Sequence, residues 1–482
     1  MTNVNSCALG KAIPWLSSLF FLYVICLNIC KINFLFADIV FVILAFCFIG
    51  VIYRLSLKLD VRNVDIICYS LILSNCFFLT YLGCKLSVGF TWDYGQIQKT
   101  AMSFAYGHGF SNKPYYVRYP NNQFVLLSLS FYYKLICLIF GKVSSFTLLR
   151  CSIALNSFLI SLSYFFYYKC CCSYIGKRFG LLLLVSLILF LPISSYSAIF
   201  YSDSVALLIP PLLLTCMNKV GCGKLRYMAY IPIVSAIGCL IKPSVIFVLL
   251  AILFYPTIQI GLYRKIMICL GCFILIWGAH CIQEKIMNIS PNEKEMYEFP
   301  HTHHIMMALN VDGKGGYVQN DVDFTKSFPS KDEKKNANIC EIKKRIKALG
   351  GEGLLYHLFV TKIRRTWTDC TFASSDYLGR KNFSENLWTL FVVKDRKWNH
   401  YYVSLYTIFM IIIYLGWVMP SSRNNHGIVV AKMATLFFAF FLIVWECNSR
   451  YLVHYLPMII ITGLYGWHKA LRNVFKNHSA NH

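Results

Sequence analysis

Long apolar runs alternate with short basic turns through most of this chain. Runs at 13–30, 32–53 and 64–83 approach or reach the about 20 residues a helix needs to cross a bilayer, and they predict three spanning helices. The pattern first stops at Thr91–Gln123, which is polar, aromatic and glycine-bearing. The next run, 124–140, is short and interrupted by Ser128, Ser130 and Lys134, so it reads as a helix lying in the membrane plane. Spans are then predicted at 148–168, 181–200 and 204–218, with a hairpin over 228–257 turning at Lys242-Pro243 and a further span at 266–282. Residues 283–400 hold no run long enough to cross, and runs at 401–419, 428–445 and 452–467 complete about twelve transmembrane helices. No internal repeat, heptad or low-complexity tract interrupts the series.

Composition agrees with this pattern: 57% hydrophobic residues, 14% charged residues and a mean hydropathy of +0.56 belong to a polytopic membrane protein. The net charge of +25 would suggest nucleic acid in a soluble chain. Here the cations punctuate apolar runs, as cytoplasmic anchors do, so nucleic-acid binding is not expected. Placing Lys11, Arg54, Lys58, Arg62, Lys169, Lys177, Arg178, Lys219, Lys224, Arg226, Arg264, Lys265, Arg423, Lys469, Arg472 and Lys476 inside satisfies every short basic loop, provided 124–140 does not cross. The run at 13–30 is long enough to span and no A-x-A site follows it, so no cleavable signal is expected. Three regions follow: 1–282, a transmembrane module with a first outer loop at 85–147; 283–400, a large extracytoplasmic loop domain; and 401–482, closing helices and a cytoplasmic tail. Most of the 21 cysteines sit in apolar runs as small hydrophobes, leaving Cys340 and Cys370 as the plausible bridge partners.

The acidic residues change the picture most. Fifteen of the 21 lie in 283–400, and of the other six, Asp93, Asp203 and Glu446 all fall at outer membrane ends, whereas Asp38 is mid-span. An ionised carboxylate near lipid is costly unless paired or working, so these are functional candidates. On the same face, Arg118, Lys242, Arg364, Arg365 and Arg450 could hold a phosphate, arginine by its planar fork and lysine as a point charge. Asn121, Asn122 and Asn448 could orient hydroxyls. The alternative for each cation is an interfacial side chain snorkelling from a helix end. His301-Thr302-His303-His304 matches no zinc spacing, so no metal site is indicated, although a divalent ion stays possible, and one histidine is expected to contact substrate or phosphate. Gly313-Lys314-Gly315-Gly316 lacks the ending of a P-loop, and the charge-rich stretch Lys331–Lys347 reads as a solvated helix.

In order along the chain, Trp92-Asp93-Tyr94, Tyr119-Pro120-Asn121-Asn122, Tyr201-Ser202-Asp203 and Lys242-Pro243 are followed by His303-His304-Ile305-Met306-Met307-Ala308-Leu309-Asn310 with Asp321. Trp367-Thr368-Asp369-Cys370-Thr371-Phe372 and Glu446–Tyr451 complete the series. This order resembles the GT-C glycosyltransferases, specifically the bacterial family-39-like members related to protein O-mannosyltransferases and the lipid A aminoarabinose transferase. Cys370 stands where that family's tryptophan motif has glycine, and Asp93 is single where the mannosyltransferases carry an acidic pair. The resemblance implies an all-α polytopic membrane protein of GT-C type with an extracytoplasmic in-plane helix. It also implies inverting transfer of a sugar from a polyprenyl-phosphate donor to a glycan, lipid or protein acceptor, with no certain cofactor. Asp93 is then the expected catalytic base, with Asp203 orienting it, the acceptor or a cation. Arg118, Tyr119, Asn121, Asn122, Lys242, His303, His304, Glu446 and Arg450 are the expected substrate- or phosphate-binding residues. The rival readings are a transporter or flippase of lipid-linked sugars, with working charges at mid-membrane, and a non-catalytic assembly protein, with no reason to cluster its acids.

Overall fold

The computed structural model describes residues 3–30, 39–43, 47, 50–51, 60–255, 261–381, 385–419 and 425–479. The expected second span at 32–53 falls largely outside them, as do Asp38, Arg54, Lys58 and Arg423 and the side chains of Lys11, Arg62, Arg472 and Lys476. The described chain is helical, without a β-strand. Its main elements are α1 (Asn3–Ile29), α2 (Val61–Lys85), α3 (Trp92–Ala105), α4 (Lys113–Arg118), α5 (Gln123–Phe140), α6 (Ser145–Tyr174) and α7 (Lys177–Leu189). They continue with α8 (Ser202–Val205), α9 (Ile209–Gly221), α10 (Tyr230–Ile241), α11 (Ile246–Phe254), α12 (Leu262–Met287), α13 (Thr302–Ala308) and α14 (Gln319–Lys326). The last are α15 (Lys331–Tyr356), α16 (Lys362–Trp367), α17 (Asn399–Val418), α18 (His426–Val444) and α19 (Leu456–Ser479). Among the described residues eight helices are long and apolar enough to cross a membrane, or nine counting the bent pair at 177–198 as one span. The expected hairpin over 228–257 is α10 and α11, 12 and 9 residues long, each too short to count alone.

Side-chain contacts fix the depth of each helix. α2 and α6 run antiparallel: Tyr168 donates to Asp65 at one end (2.6 Å), Asn75 to Ser161 midway (3.3 Å), and Gly83 packs on Ile153 at the other. The α7 path covers the same depth, because Lys177 pairs with Asp65 (2.5 Å) while Ser197 lies against Gly83. Its 60° bend at Phe190 interrupts the helical ladder, and the Tyr406 hydroxyl bridges the break, accepting from the Leu191 N–H (3.3 Å) and donating to the Leu189 carbonyl (2.9 Å), while the Asn156 amide donates to the carbonyls of Tyr196, Ser197 and Ile199 where the second half ends. The helix 124–140 has the hydropathy and length of a span together with the turn before it. Both its ends nevertheless sit at the Lys85 end of the bundle. It starts beside the first turn of α3, a few residues after α2 stops, and Gly141–Ser144 lead from its last turn straight into α6.

The segment 283–400 is less separate than its polarity suggests. Residues 291–345 do form a small helical unit, with Phe299, Met307 and Val322 as its core and Arg345 paired bidentately with Asp321 (2.7 and 2.9 Å). The remainder enters the main core: Trp367 is buried against Phe20 and Phe21 of α1. Cys370 is also buried and Cys340 is exposed on α15, each a free thiol, so the expected bridge between them is absent. α17 and α19 cross with backbones touching, since a Cβ at Gly416 would lie 2.0 Å from the Gly463 carbonyl oxygen.

Candidate functional site

Asp93 occupies the first turn of α3, where the unpaired backbone N–H groups favour a carboxylate. Two local features set that turn. Trp92 has a left-handed backbone (φ 44°), and Gly95 leaves no Cβ where one would stand 2.3 Å from the Phe90 carbonyl carbon. Such strain persists only where its surroundings enforce it. The carboxylate is half-buried and accepts from Tyr115 (2.7 Å) and Tyr201 (3.3 Å). Asn122 holds both phenols, donating to Tyr115 (2.7 Å) and accepting from Tyr201 (3.2 Å), and Asn121 donates to Asn122 (3.2 Å). Burial, then the Asp93 charge, pushes both phenols well above their ordinary value, so they stay protonated donors.

Asp203, on α8, is fully buried. It pairs with Lys242, at the end of α10, and with Arg450 (Nε to Oδ2, 3.3 Å). Two cations against one carboxylate leave this trio with an excess of one positive charge. The Arg450 guanidinium lies among Trp92, Tyr201, Tyr377 and Tyr451 at 5.0 to 5.6 Å, a cation–π cage that orients it without consuming its donors. Its buried Nε has no hydrogen-bond partner, and neither has the Trp92 indole N–H beside it.

Beyond Tyr451 the contacts continue. Tyr451 donates to Glu446 (2.8 Å), whose other oxygen meets Nδ1 of His304 (3.3 Å), and His304 stacks on Trp445 (4.8 Å). Burial alone would raise the Glu446 carboxyl, but the His304 and Tyr451 contacts and the Arg450 charge hold it below its usual range. His304 adjoins His303, His303 packs on Phe299, Arg118 lies over Phe299, and Tyr119 joins Phe299 to Tyr115. The contacts close into a circuit from Asp93 through Tyr115, Tyr119, Phe299, His303, His304, Glu446, Tyr451, Arg450 and Tyr201 back to Asp93. Tyr119 and Tyr317 each feel the charges of both Asp93 and Glu446, and burial followed by those charges raises both phenols.

The sequence model of a family described as a conserved hypothetical integral membrane protein matches residues 24–471. This chain belongs to that family. No curated protein matches it. In this family member the residues singled out from sequence, drawn from positions 93 to 450, meet at one end of the bundle, but not all in the expected posture. His303 is fully buried and bonded to Thr325 (2.8 Å), and burial followed by the His304 charge lowers it to about 3, so it is a structural imidazole and not a substrate contact. The Lys242 cation and the Asp203 carboxylate are committed to one another, which makes Asp203 a positioning group for two cations. Asn448 caps the following turn by accepting from the Arg450 N–H (2.9 Å). Arg365 donates to the Gly313 carbonyl (2.6 Å) and clamps the glycine turn, and Arg364 is exposed.

Sequence reasoning missed Tyr115, Tyr377 and the caging role of Trp92, Tyr201 and Tyr451. The density of tyrosine between 94 and 119 was the available signal. It also left Asp369 without a role. That carboxylate accepts from Ser449 (2.7 Å) and from the Ala373 N–H (2.8 Å), tying the tryptophan motif to the 446–451 segment. Among the described residues no group of three or more His, Cys, Asp or Glu is placed to hold a metal ion. Two cavities lie away from the circuit, one of about 200 Å³ beside Tyr106 and Lys134 and one of about 500 Å³ between Glu284, Lys294 and Lys331.

Proposed function

We propose that this protein is an inverting membrane glycosyltransferase of GT-C type that takes a sugar from a polyprenyl-phosphate donor and passes it to a hydroxyl of a glycan, lipid or protein. The observation that carries the reading is the closed circuit joining Asp93 to Arg450 and Glu446. An attacking hydroxyl must lose its proton as it bonds to the anomeric carbon, and the half-buried Asp93 carboxylate, steadied by two phenols, is the base. The carbon–oxygen bond to phosphate breaks with its electron pair on the phosphate. The excess positive charge of the Asp203, Lys242 and Arg450 trio stabilises that leaving group. Because phosphate departs without needing a proton, a second carboxylic acid of the glycosidase kind is not required.

The twelve-pass topology, a plasma-membrane location and an outward-facing site belong to the same proposal, supported by the basic loops and by the return of 124–140 to its starting level. A transporter would set its working charges at mid-depth. Asp93, Asp203, Lys242, Glu446 and Arg450 instead share one end. The test is Asp93→Asn in the full chain, assayed with a lipid-linked sugar and by mass spectrometry of lipid-linked and surface glycans. Transfer should fall by about two to four orders of magnitude, the usual worth of a positioned base, with insertion unchanged. Undiminished transfer in the variant overturns the assignment.

A further inference from the structure

Glu446 and His304 form a pair that the reaction above leaves unused. A carboxylate only accepts hydrogen bonds, so the proton between Glu446 and His304 sits on Nδ1. Tyr451 donates to the other Glu446 oxygen, and the Trp445 ring, stacked at 23°, fixes the imidazole plane. The carboxylate and its two partners thereby define which histidine nitrogen bears hydrogen, leaving the Nε2 lone pair free on a side chain that is 24% exposed. His303, next in the chain, is sealed into the small helical unit, so the accessible imidazole of the two is His304.

Each turnover of the proposed transfer leaves a proton on Asp93, which must go before the next. We propose that His304 is the proton-relay group of this site, with Glu446 as its positioning residue. The inference rests on the transferase reading. The acceptor hydroxyl proton passes to an Asp93 oxygen as the new carbon–oxygen bond forms. It then moves by way of solvent to the Nε2 lone pair of His304, which like Asp93 is partly exposed on the same circuit of contacts, and finally to bulk water. The imidazolium formed in between is balanced by Glu446, and both Asp93 and His304 return to their starting states. The charges around the two neighbours of His304 are Arg450 and Lys362 at Glu446, and Arg118 and Asp321 at His303, with Arg345 paired with Asp321.

The experiment is ¹⁵N-histidine NMR on the full chain in nanodiscs, with His304 assigned by His304→Gln, together with the pH–rate profile of transfer. Wild type should show His304 in the Nδ1–H form. Glu446→Gln, whose amide can donate as well as accept, should move the tautomer balance toward Nε2–H. In turnover, His304→Gln should remove one ionisation from the profile and reduce the rate about tenfold or more at neutral pH, with partial rescue by imidazole buffer. An Nε2–H tautomer in wild type, or a tautomer balance that Glu446→Gln does not move, overturns the positioning. An unchanged pH profile in His304→Gln overturns the relay. Failure of the transferase reading is separate, because it abolishes turnover in wild type while leaving the tautomer measurement intact.

Discussion

Replacing Asp203 by Asn keeps the volume and removes the single negative charge between Lys242 and Arg450. The Arg450 to Asp203 separation is 3.3 Å. At an effective dielectric of about 20, one such contact is worth roughly 5 kcal/mol of Coulomb attraction. The Lys242 contact adds a second attraction, and both are offset by the desolvation already incurred in burying the three groups. Breaking a buried pair by removing one partner costs about 3–5 kcal/mol, because the charges left behind are still desolvated. Here two like cations remain, so the loss should lie at the upper end. The assay is urea or thermal unfolding in a fixed detergent, with the midpoint followed by tryptophan fluorescence and monodispersity checked in parallel. Adding Lys242→Met to Asp203→Asn should recover at least about 2 kcal/mol, since one stranded cation is replaced by an apolar chain of similar length. If Asp203→Asn unfolds at the wild-type midpoint, or the double variant is worse than the single, the trio is not an ionic unit and the site's positive excess is not built as described.

Two further outcomes follow from burial. His303 stays neutral in the fold down to about 3, while the unfolded chain takes up its proton near 6.5. The unfolded state therefore binds more protons between those values, and stability falls with decreasing pH by about 1.4 kcal/mol per unit below 6.5 from this group alone. Unfolding midpoints at pH 7 and 5 should differ less in His303→Phe than in wild type, and an equal difference would assign the acid sensitivity elsewhere. At the crossing of α17 and α19, Gly416→Leu places a side chain where even a Cβ would meet the Gly463 carbonyl oxygen at 2.0 Å. A loss of about 3 kcal/mol or more is expected from forcing the backbones apart, and a wild-type midpoint in the same unfolding assay would refute the packing.

The sequence pattern was legible where one physical rule acted alone. Apolar runs mark helices because lipid leaves the backbone no other partner, and each of the runs 13–30, 64–83, 148–168, 401–419 and 428–445 falls on a helix long and apolar enough to cross. Scarcity carried the acids: Asp93, Asp203 and Glu446 stood out because so few carboxylates lie outside the large loop. Posture was not legible, because it depends on which neighbour reaches a side chain first. Lys242 and Arg450 look equivalent as outer cations and both reach Asp203, yet Lys242 lies over the Tyr451 ring alone, whereas four aromatic rings enclose the Arg450 guanidinium. His303 and His304 are adjacent and chemically identical. One turns into Thr325 and the other toward Glu446, 142 positions away, so only the fold separates a sealed imidazole from an accessible one. Polarity likewise marked 283–400 as a loop domain, but Trp367 within it belongs to the main helical core, because one apolar ring on a short helix outweighs the charges around it once α1 offers a matching face.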